Sequence, residues 1–402
     1  MPSMQDSLYH VYSISTMDFF YTLLGKIGLF IAGALVVLVG FFVSLSLQEI
    51  VVPQAIETTA VKDQQTSVEE ATSAAEAPPA LSAPVVPQEP IPAYKPTAAP
   101  IATPVVLQAP AAPPVPALDP NILNTQTRSA LVNILCTTRA GGYFKPISGS
   151  GVLVDSRGVV LTNAHVGQYF LLRNFPTTDN VDCILRTGSP ARAMYRAELL
   201  YLPPSWVDAN ASQIVQEQGT GTGENDFAFL RITGTTGPSI PYPALFPALV
   251  MTGATPVPGE SMLLAAYPAG FLDGQTIELN LFVTSAYAAV RGLFTFDGTQ
   301  QVDLFSIGGT VVSQGGSSGG AVVRAQDGNL AGIIVTSTAA TTTADRDLRA
   351  ITIAHINRSL AADGHVGLSD LLSRSLTDVA AEFASSTAPA ELEKLKKAIE
   401  HR

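Results

Sequence analysis

The chain has 402 residues, of which 47% are hydrophobic and 14% are charged, and its formal net charge is −11. Nucleic acids are bound through clusters of Lys and Arg, and this chain has such a cluster only in its C-terminal tail, so we expect no nucleic-acid partner. The two cysteines cannot form a four-thiolate site, and no cysteine or histidine cluster has zinc spacing. We therefore expect no metal and no cofactor.

Residues 27–47, IGLFIAGALVVLVGFFVSLSL, contain no charged side chain. A helix of that length rises about 31 Å, which matches a hydrocarbon core of about 30 Å. The segment predicts a single-pass transmembrane helix in the cytoplasmic membrane. Lys26 places the N-terminal segment 1–26 in the cytoplasm and the rest of the chain outside it. A cleaved signal peptide is the alternative, but its apolar run is usually 7 to 15 residues long.

Residues 48–124 are rich in Pro, Ala, Val and Thr, as in APPALSAPVVPQEPIPAYKPTAAP. Prolines block helix and sheet, and few large side chains are available for a core, so we predict a disordered linker with polyproline-II character. Fully extended at about 3.1 Å per residue, some 70 residues of this linker reach roughly 200 Å, and we expect them to hold the next domain away from the membrane. A ligand for proline-binding modules is the alternative.

Residues 125–360 consist of short apolar or alternating runs, such as SGVLVD, DFAFLRI and AGIIVTST, separated by Gly, Asp, Asn and Pro. Many short strands at this spacing indicate an all-β sandwich or barrel. The alternation of strands with helices that is typical of a parallel sheet is missing. We therefore predict an all-β domain.

Three segments of this domain carry groups suited to nucleophilic catalysis. LTNAHV places His165 at a strand end, ENDFAFLRI places Asp226 before a strand, and QGGSSGG places Ser318 among glycines. A serine hydroxyl needs a base that takes its proton, an acid that orients the base, and N–H donors for the oxyanion. Alone, each segment is more often structural: a strand-end histidine, a turn aspartate or a flexible glycine turn. Their order and placement together indicate a catalytic site.

The segments SGSGVLVDSRGVVLTNAHV, NDFAFLRI and GGSSGGAVV resemble the three motif blocks of trypsin-like serine proteases. They are most similar to the bacterial HtrA/Deg branch, and the resemblance covers roughly residues 125–358. It implies two six-stranded antiparallel β-barrels with the active site in the cleft between them.

The resemblance also implies a role for each matching residue. His165 is the general base, Asp226 orients it, and Ser318 is the nucleophile. The backbone N–H groups of Gly316 and Ser318 form the oxyanion hole, with the Ser317 N–H close by.

The chain departs from the family at positions that affect activation and specificity. Ser317 stands where HtrA proteins usually have Asn and digestive proteases have Asp, so no carboxylate awaits a freshly cut N-terminal amine, and activity is not expected to require upstream cleavage. Val312 occupies the position at the base of the specificity pocket, so we expect an apolar residue before the cleaved bond. Ile334, Val335 and Thr336 are expected to line that pocket and to bind substrate by strand addition.

The HtrA branch usually carries a PDZ domain after the protease domain, but residues 361–402 are too few for one. Apolar residues at near-helical spacing instead predict a helical appendage that packs on the barrels. These residues are Leu368, Leu371, Leu372, Val379 and Phe383. A self-association segment is the alternative.

Cys136 and Cys183 are the two cysteines. Outside the cytoplasm a disulfide between them is permitted. Two buried free thiols are the alternative, and the sequence does not decide between them.

These observations together predict a membrane-anchored serine endopeptidase that cleaves extracytoplasmic proteins or peptides through an acyl-enzyme. Two alternatives stay open: a catalytically inactive binding module on the same fold, and an esterase that does not cleave peptides. The sequence does not determine the oligomeric state or the physiological substrate.

Overall fold

The computed structural model describes residues 118–139, 145–216, 221–298, 300–338, 340–364 and 367–401. The predicted segment 1–26, the predicted transmembrane helix 27–47 and most of the predicted linker lie outside these residues. Within the described ranges, no helix is long and apolar enough to cross a membrane.

The first half of the described chain forms a six-stranded barrel, with strands β1 Leu131–Thr138, β2 Ile147–Asp155, β3 Val159–Thr162, β4 Val181–Thr187, β5 Arg192–Tyr201 and β6 Ala228–Thr235. These strands are antiparallel and close in the order β1–β2–β3–β6–β5–β4. All four residues of β3 are buried, which places the end of this strand deep in the barrel wall. The predicted all-β class and the first barrel are confirmed.

The second half forms a seven-stranded sheet, with strands β7 Ser261–Ala266, β8 Thr284–Ala289, β9 Gly292–Phe294, β10 Leu304–Gly308, β11 Ala321–Arg324, β12 Leu330–Ser337 and β13 Leu348–Thr352. Their order is β8–β7–β11–β12–β13–β10–β9. The resemblance implied a second closed six-stranded barrel, but the structure has a seven-stranded sheet here instead. The terminal strands of the sheet are β8, which is largely half-exposed, and β9, which has three residues, and no ladder between them is formed in the described part of the chain.

Both faces of the second sheet are covered, as β7 illustrates. Leu263 and Ala265 belong to the same apolar core as the six-stranded barrel. Met262, Leu264 and Ala266 belong to a separate core on the other face. Since successive side chains of a strand point to opposite faces, this division follows from the uninterrupted apolar run in β7. One core therefore joins the barrel and the sheet, and this shared core fixes the strand ends that carry the site.

Cys136 on β1 and Cys183 on β4 lie opposite each other in the ladder and are joined by a disulfide bond. Of the two alternatives that the sequence left open, the structure contains the cross-link. The two cysteines are separated by 47 residues. Closing a loop of that size restricts the unfolded chain and contributes about 4 kcal/mol in the chain-entropy model.

Eight α-helices are described, namely α1 Pro120–Ser129, α2 Ala164–Gly167, α3 Pro204–Asn210, α4 Gly274–Leu279, α5 Ile353–Ala362, α6 Leu368–Ser373, α7 Leu376–Ser386 and α8 Ala388–Glu400. Helix α1 begins inside the segment 48–124 that was predicted as linker, so the last residues of that segment are helical. The Asp119 side chain accepts from the Asn121 N–H at 2.7 Å, and Pro120 is the first helical residue. An acidic cap followed by proline favours helix initiation at this point.

The C-terminal helices pack on the first barrel. Val379 and Phe383 on α7 are buried, and the Phe383 ring lies 6.5 Å from the ring of Tyr201 on β5. Leu395 and Ile399 on α8 are also buried. The predicted appendage therefore buries its apolar face against other residues of the same chain.

Candidate active site

His165 lies on the short helix α2, directly after β3. Asn163, between the strand and the helix, donates from Nδ2 to the backbone oxygen of Asp226 at 2.8 Å. The strand end is therefore tied to the loop that precedes β6. The His165 side chain keeps 31% of its surface exposed, so one side of the ring remains accessible.

Asp226 holds His165 through both carboxylate oxygens. Oδ2 lies 2.8 Å from His165 Nδ1, and Oδ1 accepts the backbone N–H of His165 at 3.0 Å. An ionised carboxylate can only accept hydrogen bonds, so the ring carries a proton on Nδ1. In the neutral ring, Nε2 therefore has a free lone pair and can act as a base.

The environment of His165 favours the protonated ring. Burial lowers the pKa of His165, but the charge of Asp226 and its hydrogen bond outweigh burial and raise this pKa above its usual value. An imidazole with a raised pKa is a better proton acceptor. The pair of His165 and Asp226 thus has the geometry and the electrostatics of an oriented general base.

Ser318 lies in the loop between β10 and β11, and this loop docks on the first barrel. The Ser318 carbonyl accepts the N–H of Ser150, on β2, at 2.8 Å. Gly319 has φ +81°, and a Cβ there would lie 2.1 Å from the backbone oxygen of Ser150 and 2.6 Å from Thr162 Oγ1. Only glycine fits so close an approach. Since Thr162 ends the strand that leads to His165, the serine loop and the histidine helix contact the same strand ends.

The backbone N–H groups near Ser318 fall into two sets. The Ser317 N–H donates to the Gln314 carbonyl at 3.3 Å, so this group is already bonded. Among the described residues, the N–H groups of Gly316 and Ser318 donate to no acceptor. Gly316 has φ +87°, and a Cβ there would lie 2.7 Å from the carbonyl oxygen of Tyr267. The two unbonded donors are those that the sequence assigned to an oxyanion hole, and that role stays a prediction.

The two adjacent serines of the loop differ in accessibility. Ser317 is 1% exposed, whereas Ser318 is half-buried. A nucleophile must be reached by substrate, so the burial of Ser317 favours Ser318 as the reactive hydroxyl. The described contacts of Ser318 do not include a hydrogen bond to the His165 ring. Catalytic hydrogen bonds are often long before substrate binds.

The residues predicted to contact substrate lie beside the serine loop or in the core below it. Ile334 on β12 donates its N–H to the Gly320 carbonyl at 2.9 Å and accepts from the Gly319 N–H at 2.8 Å. Val335 is buried and Thr336 is half-buried further along the strand.

Val312 is fully buried among the apolar residues of the second sheet. A direct contact between Val312 and a substrate side chain stays a prediction. The described residues hold no cluster of three or more His, Cys, Asp or Glu side chains that could bind a metal.

Ser150 and Asn225 contribute to the site and were missed in the sequence. Ser150 Oγ donates to the Gly316 carbonyl and accepts the Tyr267 N–H, at 2.8 and 2.9 Å, so it joins the barrel to the serine loop. Asn225 has φ +55°, in the left-handed region. Asparagine tolerates this region better than most residues, so an Asn directly before Asp226 was a usable signal. Nothing in the pattern around Ser150 marked its contacts.

Residues 149–333 match the family model of the trypsin-like peptidase domain. This part of the chain is a trypsin-like peptidase domain. Apart from Ser148 at the start of the first block, the match contains all three motif blocks, and it confirms the resemblance on which the sequence assignment of the fold depended. The trypsin-like domain of this chain thus brings His165 and Asp226 into direct contact and docks the loop of Ser318 against the same strand ends.

No curated protein matches the chain. Among solved structures, an inactive form of a mutant of Rv3671c from M. tuberculosis H37Rv is 21% identical, covers 63% of this chain and 96% of that chain, and has a TM-score of 0.37. A serine endoprotease from Yersinia pestis is 21% identical, covers 61% of this chain and 68% of that chain, and has a TM-score of 0.38.

We predict that Asp226→Asn lowers the pKa of His165 below the usual value of about 6.5. The substitution removes the carboxylate charge that opposes burial, so burial then dominates. NMR titration of the His165 ring, assigned with His165→Gln, measures the change. Asp155→Asn is the matched control, because Asp155 belongs to the same barrel but pairs with Arg157 and not with a histidine. An unchanged His165 titration in Asp226→Asn contradicts the prediction.

Proposed function

We propose that the chain is a serine endopeptidase that hydrolyses peptide bonds through an acyl-enzyme on Ser318. The proposal is carried by one observation above all: Asp226 accepts both the Nδ1 proton and the backbone N–H of His165, beside a serine loop docked on the same strand ends. The family match of the domain supports the same chemistry. Acyl transfer to a serine requires an accessible hydroxyl and an oriented base that can take its proton.

In the proposed mechanism, His165 Nε2 takes the proton of Ser318 as Oγ attacks the peptide carbonyl. The imidazolium that forms is stabilised by Asp226, which remains ionised. The tetrahedral oxyanion accepts hydrogen bonds from the N–H groups of Gly316 and Ser318. His165 then gives its proton to the leaving amine, and an acyl-enzyme remains. A water molecule, activated by the same base, hydrolyses it.

The proposed substrates are proteins or peptides in extended conformation. Beyond Ile334, strand β12 continues to Ser337 next to the serine loop, and Val335 and Thr336 are expected to hold the substrate backbone as an added strand. An apolar pocket above Val312 is proposed to select an apolar residue before the cleaved bond. Because Ser317 offers no carboxylate to a new N-terminal amine, we expect activity without cleavage upstream of the domain.

We predict that a fluorophosphonate probe labels the wild-type protein on Ser318. Ser318→Ala is expected to abolish labelling, since it removes the hydroxyl that we propose as the nucleophile. Ser317→Ala is the matched control, and it should keep labelling because the buried Ser317 hydroxyl does not react. Peptide mapping by mass spectrometry identifies the labelled residue.

The labelling experiment also separates the alternatives. No reaction of the correctly folded wild type would leave the inactive binding module as the better interpretation. Labelling without cleavage of any member of a peptide library, but with turnover of small esters, would favour the esterase.

For localisation, we propose that a helix at residues 27–47 anchors the protein in the cytoplasmic membrane, with the trypsin-like domain outside the cytoplasm. The support is the uncharged run of that segment, its length and the preceding Lys26. The disulfide between Cys136 and Cys183 fits an oxidising compartment.

We predict that alkaline phosphatase fused after residue 60 is active, because this enzyme needs export to fold. A fusion after residue 20 is the matched control and should be inactive. The reverse pattern would overturn the proposed orientation. Release of the residue-60 fusion from the membrane, with a shortened chain, would instead indicate a cleaved signal peptide.

A further inference from the structure

A second pair of histidine and carboxylate contacts the residue directly before Asp226. His355 lies in the first turn of α5, where its backbone N–H donates to the Thr352 side chain at 3.0 Å. Its Nδ1 lies 2.8 Å from Asp303 Oδ1, and its Nε2 lies 3.3 Å from the side-chain oxygen of Asn225. The proposed catalytic mechanism uses none of these three side chains.

Asn225 has a backbone conformation that needs support. Its φ of +55° lies in the left-handed region, which is unfavourable for a residue with a Cβ. This backbone angle sets the direction in which the chain continues into Asp226. Helix α5 holds the Asn225 side chain at two points: Ser359 Oγ donates to its Oδ1 at 2.8 Å, and His355 Nε2 faces the same amide. Residues 355 and 359 are one turn apart and share a helix face.

Several buried contacts hold His355 in turn. Asp303 Oδ2 accepts the Phe296 N–H at 2.9 Å, and the Arg358 guanidinium contacts Asp303 Oδ1. The Phe296 ring meets the His355 ring edge to face at 5.0 Å. His355 and Asp303 are both buried. A buried polar network with these partners fixes the orientation of its members.

His355 can bind Asn225 in either protonation state. Burial lowers the pKa of His355 despite the hydrogen bond and charge of Asp303, with Arg358 and Glu224 as the other nearby charges. Because Asp303 only accepts, the neutral ring keeps its proton on Nδ1, and Nε2 can then accept only if the Asn225 amide is turned by 180°, so that its NH₂ group takes the place of Oδ1. In that turned orientation the amide donates to Ser359 Oγ, whereas with Oδ1 in this place Ser359 Oγ is the donor. If the ring is charged, Nε2 donates to the Asn225 oxygen.

We propose that His355 is a positioning residue: through Asn225 it holds the left-handed turn that aims the Asp226 carboxylate at His165. The catalytic consequence rests on the proposed peptidase function, but the effect on His165 does not. Asp303 acts one contact further away, because it fixes the ring of His355. This series of contacts therefore connects α5, which follows the last strand of the second sheet, to His165 and Asp226 of the first barrel.

Two substitutions that mimic opposite sides of the imidazole ring test this role. His355→Asn keeps a nitrogen near the Nδ1 position, next to Asp303, and loses the contact with Asn225. His355→Gln keeps a nitrogen near the Nε2 position, next to Asn225. We expect His355→Asn to lower kcat about 10²-fold, the loss that a 1 Å misplacement causes, with KM little changed. His355→Gln should stay within a few-fold of the wild type.

The pKa of His165, measured by NMR titration, is the readout that does not depend on turnover. His355→Asn should lower this pKa, because a misaimed Asp226 stabilises the imidazolium less, and His355→Gln should leave it near the wild-type value. Equal behaviour of the two variants, in either direction, overturns the proposal. If the wild type cleaves no peptide, the proposed function fails, while the His165 titration still decides the positioning role.

A second variant keeps the test decisive if His355→Asn does not fold. Asn225→Ala removes the same contact from the other partner. It should lower kcat and the pKa of His165 as His355→Asn does, and thermal unfolding verifies that the domain is intact. Wild-type values of both quantities in folded Asn225→Ala would contradict the proposal.

Discussion

The site depends on a single carboxylate that accepts two hydrogen bonds from the same residue. Asp226 receives the backbone N–H and the ring Nδ1 of His165, so it fixes the position of the helix and the tautomer of the ring together. Burial alone would disfavour a charged imidazole, and the charge of Asp226 reverses that preference. Two further residues support this contact: Asn163 ties the two segments together, and Asn225 turns the chain toward Asp226.

The serine loop docks closely on its surroundings because two glycines let backbone approach backbone. Gly319 lies where any side chain would overlap Ser150 and Thr162, and Gly316 lies where one would overlap Tyr267. Glycines lose more conformational entropy on folding than other residues, and this cost is offset by the close backbone contacts that only glycine allows here. Ser150 adds a side-chain link between the barrel and the loop. The shared core of barrel and sheet then fixes the relative positions of these strand ends, which come from distant parts of the sequence.

Much of this arrangement could be predicted from local patterns in the sequence. His165, Asp226 and Ser318 could be proposed because each lies in a short motif of recognisable chemistry, and the strands were recognisable by their alternating or apolar runs. Contacts over long sequence separations were not readable: those of Ser150 with the serine loop, and the link from Asp303 through His355 to Asn225. The closure of a sheet depends on whether its edge strands pair with each other, and local runs do not encode that pairing. The start of α1 was missed because prolines surround it, although Asp119 and Pro120 form a usual helix start.

The central claim is that His165 takes the proton of Ser318 in a cleft formed by the barrel and the sheet. A crystal structure of the protein after reaction with a peptidyl phosphonate tests it most directly. We expect a covalent bond from Ser318 Oγ to phosphorus, and a phosphonate oxygen about 3 Å from the N atoms of Gly316 and Ser318. We also expect His165 Nε2 within hydrogen-bond distance of the adduct. An adduct on another residue, or a His165 ring remote from Ser318 Oγ, would contradict the claim.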